Sequence, residues 1–269
     1  MNHQYDKIKC VISLGCSMTS GSELDNHIKD TDNGLETGPT WACYLAKKLC
    51  PDAEYFCAAI GGASNETVVR RGIYHISEKL KKYHSEEILV LVMWTSPARK
   101  TWRIKDTNRQ HDNLYIDTTA NIGLDLIARK NLENPKMQEI KHQGLNEVVK
   151  ATYRTMHNDQ NLYDSHQAIE YLDFFLDAHG IQNFQTNAWN DFVISEKIIE
   201  DTLHIVKDKY LHRMLERAAK KNIFSVGNCN GFILWAKANK YDTHPGGHPV
   251  EAAHEKYARL MYRWIVKNE

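Results

Sequence analysis

The chain has 269 residues, enough to bury a full core in one large domain or in a domain carrying a sizeable insertion. Lys plus Arg and Asp plus Glu both number 34, so no net basic field draws it onto nucleic acid or an anionic membrane, and a small or neutral partner fits better. No apolar run approaches the roughly 20 residues a membrane span needs, and the polar start, MNHQYDKIK, lacks the apolar core of a secretory signal, so a cytoplasmic protein is expected. Six cysteines (Cys10, Cys16, Cys43, Cys50, Cys57 and Cys229) show no paired CxxC spacing, which fits reduced thiols and neither a disulfide framework nor a cysteine metal site.

The run Cys10 to Leu14, ended by Gly15 and followed by small hydroxyl residues, reads as a buried strand delivering a tight turn that carries Ser17. Serines after a strand also serve as plain helix caps, so the turn alone decides nothing. WACYLAKKL follows a polar stretch and places Trp41, Tyr44, Leu45 and Leu49 at helical spacing, with Pro51 closing the helix. A second strand (Tyr55 to Ile60) leads through Gly61-Gly62 to Ser64 and Asn65, which open a helix carrying Val68, Val69, Ile73, Ile76 and Leu80. EILVLVMW is a continuous apolar run and therefore a central strand, stopping at TSPAR. Three strand–turn–helix units in the first hundred residues predict a parallel sheet with helices on both faces, a three-layer α/β/α sandwich.

From about 100 to 180 the pattern changes to a polar loop, an ambiguous stretch around Asn113–Ile127, and helical segments near Gln138–Met156 and Ser165–His179. These read as an insertion into one domain spanning 1–269. IQNFQTN is a further strand, a helix is expected over about Lys197–Lys220, and NIFSV is a last short strand. The C-terminal block YDTHPGGHPVEAAHEKYARLMYRWI holds a histidine cluster, and Pro249 after His248 starts a helix burying Ala253, Tyr257, Leu260, Met261 and Trp264. A histidine on a rigid loop at a helix entrance is placed to act as a general base.

GCSM, GGASN, WTSPAR and the HPxxxAHxxxA pattern of His248 to Ala258 occur in the order used by the SGNH (GDSL-type) hydrolases, which the chain resembles everywhere outside the middle insertion. The resemblance implies a flavodoxin-like fold and a serine esterase without cofactor or metal, with Ser17 as nucleophile, Gly62 donating an oxyanion N–H and His248 as base. Cys16 stands where that family has aspartate. The family's oxyanion asparagine is missing from the third block, leaving Thr95, Ser96 or Asn65 as replacements beside the Ser17 N–H. The acid usually lies three residues before the histidine, where this chain has Pro245. Asp242, six back, is the candidate, and His244 is the alternative base.

A serine hydroxyl needs a base to take its proton and a carboxylate to fix the imidazole, and the resulting tetrahedral oxyanion needs N–H donors. The expected substrate is a small acyl ester such as a carbohydrate O-acetyl group, with Trp94 and Arg99 as binding candidates; Trp94, Trp102 and Trp189 could stack on a sugar or simply pack. Three alternatives stay open: a metal ion gathered by Asp242, His244, His248 and His254, an inactive binding or structural module of the same fold, and an O-acyltransferase.

Overall fold

The structure, a computed structural model, describes residues 5–24, 38–105, 113–119, 158–189, 223–226, 229 and 231–268. Its centre is a parallel sheet of β1 (Cys10–Leu14), β2 (Glu54–Cys57), β3 (Ile88–Trp94), β6 (Gln182–Asn187) and β7 (Ile223–Phe224), in the order β2-β1-β3-β6-β7. This is the flavodoxin-like order, in which the chain first moves outward from β1 to β2 and then reverses to β3 on the other side. Right-handed crossovers then place the two connecting helices on opposite faces. The packing agrees: α2 (Trp41–Leu49) lies against the C-terminal helix α6 (Glu251–Asn268), which follows the short α5 (Phe232–Ala238), while α3 (Asn65–Lys79) lies against α4 (Asn158–His179). The expected three-layer α/β/α sandwich is the observed architecture.

β3 is buried along its whole length because it lies between two strands and two helical layers. Each large aliphatic side chain so buried contributes about 1.5–3 kcal/mol relative to exposure. α2 is capped by Thr40, whose hydroxyl accepts the Cys43 N–H at 3.4 Å, and α3 by Ser64, which accepts the Thr67 N–H at 3.2 Å. α3 approaches β1 closely at Gly72, where a Cβ would lie 2.7 Å from Leu14 Cδ1.

The region after β3 departs from the expected polar loop. β4 (Arg99–Lys105) and β5 (Asn113–Thr119) pair as an antiparallel ribbon from Arg99↔Thr119 to Lys105↔Asn113. Lys100 is buried and ion-paired to Asp164 of α4, and Thr101 bonds Ser64 and, at 3.1 Å, Thr67 at the start of α3. The ribbon is thus fastened to the α3–α4 layer by half-buried polar pairs, which a hydrophobic-period reading does not register. α4 begins earlier than expected, at Asn158. The helices expected over Gln138–Met156 and about Lys197–Lys220 lie outside the described residues. Among the described residues no helix is long and apolar enough to cross a membrane.

Candidate active site

The glycine loop after β2 and the histidine loop both meet one turn at the carboxyl edge of the sheet, residues 15–23. β1 ends at Gly15, where a side chain would set its Cβ 2.4 Å from Thr19 Oγ1 and 3.0 Å from the carbonyl oxygen of Met93 in β3. Glycine therefore lets the chain pass between β3 and its own next turn. Cys16 is the N-cap of the four-residue helix α1 (Ser17–Ser20), and its carbonyl accepts the N–H groups of Thr19 and Ser20, both at 2.9 Å. Ser17 is 7% exposed, and among the described residues neither its N–H nor its hydroxyl makes a hydrogen bond. The turn closes with the Gly21 and Ser22 N–H groups on the Ser17 carbonyl, both at 3.1 Å.

The glycine pair after β2 lies beside this turn. Ile60 N–H donates to the Gly15 carbonyl at 3.3 Å, and a Cβ on Gly61 would sit 3.3 Å from Ser22 Oγ. Gly62 is exposed, has φ +82 with open space over its Cα, and its N–H is unbonded among the described residues. An exposed, unpaired backbone donor in a left-handed position is what an oxyanion site uses.

The histidine loop docks on the other side of the turn. Glu23 accepts the Gly246 N–H at 2.8 Å with Oε1 and holds His248 Nδ1 with Oε2. These contacts, the His248 bond first, hold the Glu23 carboxyl below the usual carboxylate range. With Nδ1 engaged, His248 keeps Nε2 unbonded among the described residues. Thr243 and Pro249 bridge the loop, and the His244 N–H donates to the His248 carbonyl at 2.8 Å, fixing the backbone around the ring.

A second tie runs beneath. His254, 1% exposed in the first turns of α6, accepts the Trp41 N–H at Nδ1 at 3.2 Å, and Trp41 Nε1 donates to Thr19 Oγ1 at 3.1 Å. Burial, then the nearby His248 and His244, lowers the His254 pKa to about 3, so the ring is neutral. The histidine loop is therefore anchored to the serine turn twice, at Glu23 and through Trp41.

Several sequence-based expectations need correction. Asp242 is exposed and makes no side-chain bond to His248; the carboxylate on that ring is Glu23, because the Gly246-Gly247 turn carries the loop against residue 23. His244 contributes backbone hydrogen bonds to the loop and makes no hydrogen bond to Glu23. Trp94 is fully buried, with Nε1 on Gln185 Oε1 at 2.8 Å, so it packs the core and cannot meet a substrate. Asn65 is 2% exposed and has both amide hydrogens committed, to the Thr95 carbonyl at 3.1 Å and Ser165 Oγ at 3.2 Å. Its Oδ1 accepts the Thr95 N–H at 2.9 Å, which removes Asn65 and the Thr95 N–H from the oxyanion candidates. Thr95 Oγ1 is buried without a partner among the described residues, and Ser96 Oγ accepts the Ala98 N–H at 3.2 Å. Arg99 is half-buried, donating from Nη1 to the Ala63 carbonyl at 3.1 Å with its guanidinium 5.9 Å from the centre of the Trp189 ring, so it braces the glycine loop. Trp102 has no described side chain. Among the described residues no three His, Cys, Asp or Glu side chains gather to hold a metal ion, and His254 Nδ1 is occupied by Trp41.

No protein-family model matches the chain, and no curated protein matches it. Similar solved structures include TesA (13% identity, TM-score 0.46, covering 95% of this chain and 97% of that one). Another is the psychrotrophic esterase EstA from Pseudoalteromonas sp., inhibited by monoethylphosphonate (14%, 0.46, 96% and 97%). A third is a catalytic mutant of Axe2, an acetylxylan esterase from Geobacillus stearothermophilus (13%, 0.40, 95% and 93%).

Proposed function

We propose that this protein is a divergent SGNH-type serine esterase that cleaves a small acyl ester through an acyl-enzyme at Ser17. One observation carries the reading: His248, held at Nδ1, stands on a loop bonded to the same short turn that presents Ser17, and among the described residues His248 Nε2 and the Ser17 hydroxyl have no partner. Ser17 Oγ attacks the ester carbonyl as His248 Nε2 takes its proton. The N–H groups of Ser17 and Gly62 stabilise the oxyanion, each such donor being worth about 3–4 kcal/mol of barrier. Collapse expels the alcohol, which leaves with the proton from Nε2. Water, deprotonated by the same nitrogen, then attacks the acyl-enzyme, and the acid departs as Ser17 regains its hydrogen.

The rim of the turn is serine and glycine (Ser22, Gly61 and Gly62), which suits a short acyl group such as an O-acetyl ester better than a long apolar chain. The test is turnover of p-nitrophenyl acetate, butyrate and octanoate by wild type, Ser17→Ala and His248→Ala, with fluorophosphonate labelling followed by peptide mapping. Acetate is expected to be the best substrate, both variants to lose activity at least about 10³-fold, and label to map to Ser17. Full turnover by Ser17→Ala, or a folded wild type that neither labels nor turns over, refutes the reading.

A further inference from the structure

We propose that Glu23 is the positioning carboxylate of this site, holding the His248 imidazole in the tautomer and orientation that proton transfer at Nε2 requires. This rests on the acyl-transfer reading and departs from the acid expected from the sequence, Asp242. Both oxygens of Glu23 are spent on the histidine loop, Oε2 on the ring at Nδ1 and Oε1 on the Gly246 N–H at 2.8 Å, so ring and backbone are fixed together. A carboxylate accepting Nδ1–H leaves the lone pair at Nε2. When Nε2 takes the serine proton, the resulting imidazolium sits directly against a negative charge.

Two features of the backbone accompany this contact. Glu23 has φ +68, a left-handed conformation that costs a non-glycine residue free energy and persists where its surroundings fix it. Opposite it, a Cβ on Gly246 would lie 2.4 Å from Glu23 Oε2 and 2.6 Å from its Cδ, so glycine admits the carboxylate in this position and any larger residue makes it shift. Asp242, by contrast, makes no side-chain bond to the ring, and its backbone carbonyl receives the Val250 N–H at 3.1 Å. The nucleophile and the carboxylate thus come from one turn, Ser17 to Glu23, and the histidine arrives from the far end of the chain.

Glu23→Gln keeps the side chain's shape and removes its charge. Its kcat for p-nitrophenyl acetate is expected to fall about 10²- to 10⁴-fold with KM within about twofold of wild type. Gly246→Ala, which displaces the carboxylate and leaves its charge intact, is expected to lower kcat in the same way. Imidazole nitrogen-15 NMR supplies a readout that needs no turnover: His248 is expected as the Nδ1-protonated tautomer in wild type and Ser17→Ala, and to lose that preference in Glu23→Gln. Wild-type kcat in Glu23→Gln, an unchanged tautomer, or a larger kcat loss in Asp242→Asn overturns the proposal. Full turnover in Ser17→Ala refutes the acyl-enzyme instead, while the tautomer still decides whether Glu23 governs the ring.

Discussion

His254 gives the fold a calculable sensitivity to acid. The ring is 1% exposed, with its centroid 4.6 Å from that of Phe232, and Nδ1 accepts the first N–H of α2, a donor that no intrahelical carbonyl can satisfy. Burial of the ring, then the nearby His248 and His244, lowers the folded pKa from 6.5 to about 3, and a proton on Nδ1 would break the Trp41 bond. Below pH 6.5 the unfolded chain binds a proton that the folded chain refuses, so stability falls as pH falls, down to about pH 3. At about 1.36 kcal/mol per pH unit, His254 costs about 2 kcal/mol between pH 7 and pH 5. His75, lowered by burial to about 4, adds to the loss in the same window. Glu54, held at about 2 by Lys79, Tyr83 and Lys82, loses its contribution only below the ordinary carboxylate range. His254→Asn separates these effects, because its Oδ1 can accept the Trp41 N–H and does not titrate. Urea unfolding followed by tryptophan fluorescence is expected to show the loss from pH 7 to pH 5 smaller in the variant by about 2 kcal/mol. Equal losses in the two proteins would refute a buried neutral His254 and, with it, the Trp41 tie between α6 and the serine turn.

Which parts of this arrangement could be read from sequence follows from how local each cause is. β1, β3, α2 and α6 declare themselves through apolar runs and helical spacing, and the strand–helix alternation dictates the parallel sheet. Gly15, Ser17, Gly62 and His248 sit where strand ends and a proline-led helix must put them, at the crevice edge. Glu23 was illegible for two reasons: its left-handed backbone has no glycine to announce it, and its partner lies 225 residues away. The signal that did exist was a carboxylate in the serine's own polar turn facing a Gly-Gly turn able to admit it. The β4–β5 ribbon was missed because half-buried polar pairs, Lys100–Asp164 and Ser64–Thr101, hold it, so its strands carry no clean alternation. Trp94 stands at a strand end, which suggests a binding role, yet its pairing with Asn187 and the Gln185 acceptor for its N–H keep it wholly in the core.

Trp94→Phe is expected to cost about 1–2 kcal/mol of stability, by urea unfolding, through loss of the buried bond to Gln185, and to leave KM for p-nitrophenyl acetate unchanged; a large rise in KM would restore Trp94 to the binding surface. Asn65 carries the stronger expectation, because its side chain replaces missing backbone pairing between the end of β3, the start of α3 and Ser165 of α4. Asn65→Ala strands the buried Thr95 N–H and carbonyl, so a loss of about 2–3 kcal/mol in urea unfolding is expected. If Asn65 is a brace and no oxyanion donor, Asn65→Asp, which still accepts the Thr95 N–H but cannot donate, must lose stability as well as turnover. A variant as stable as wild type with kcat alone reduced about 10²- to 10³-fold would show instead that the amide points at the reacting carbonyl.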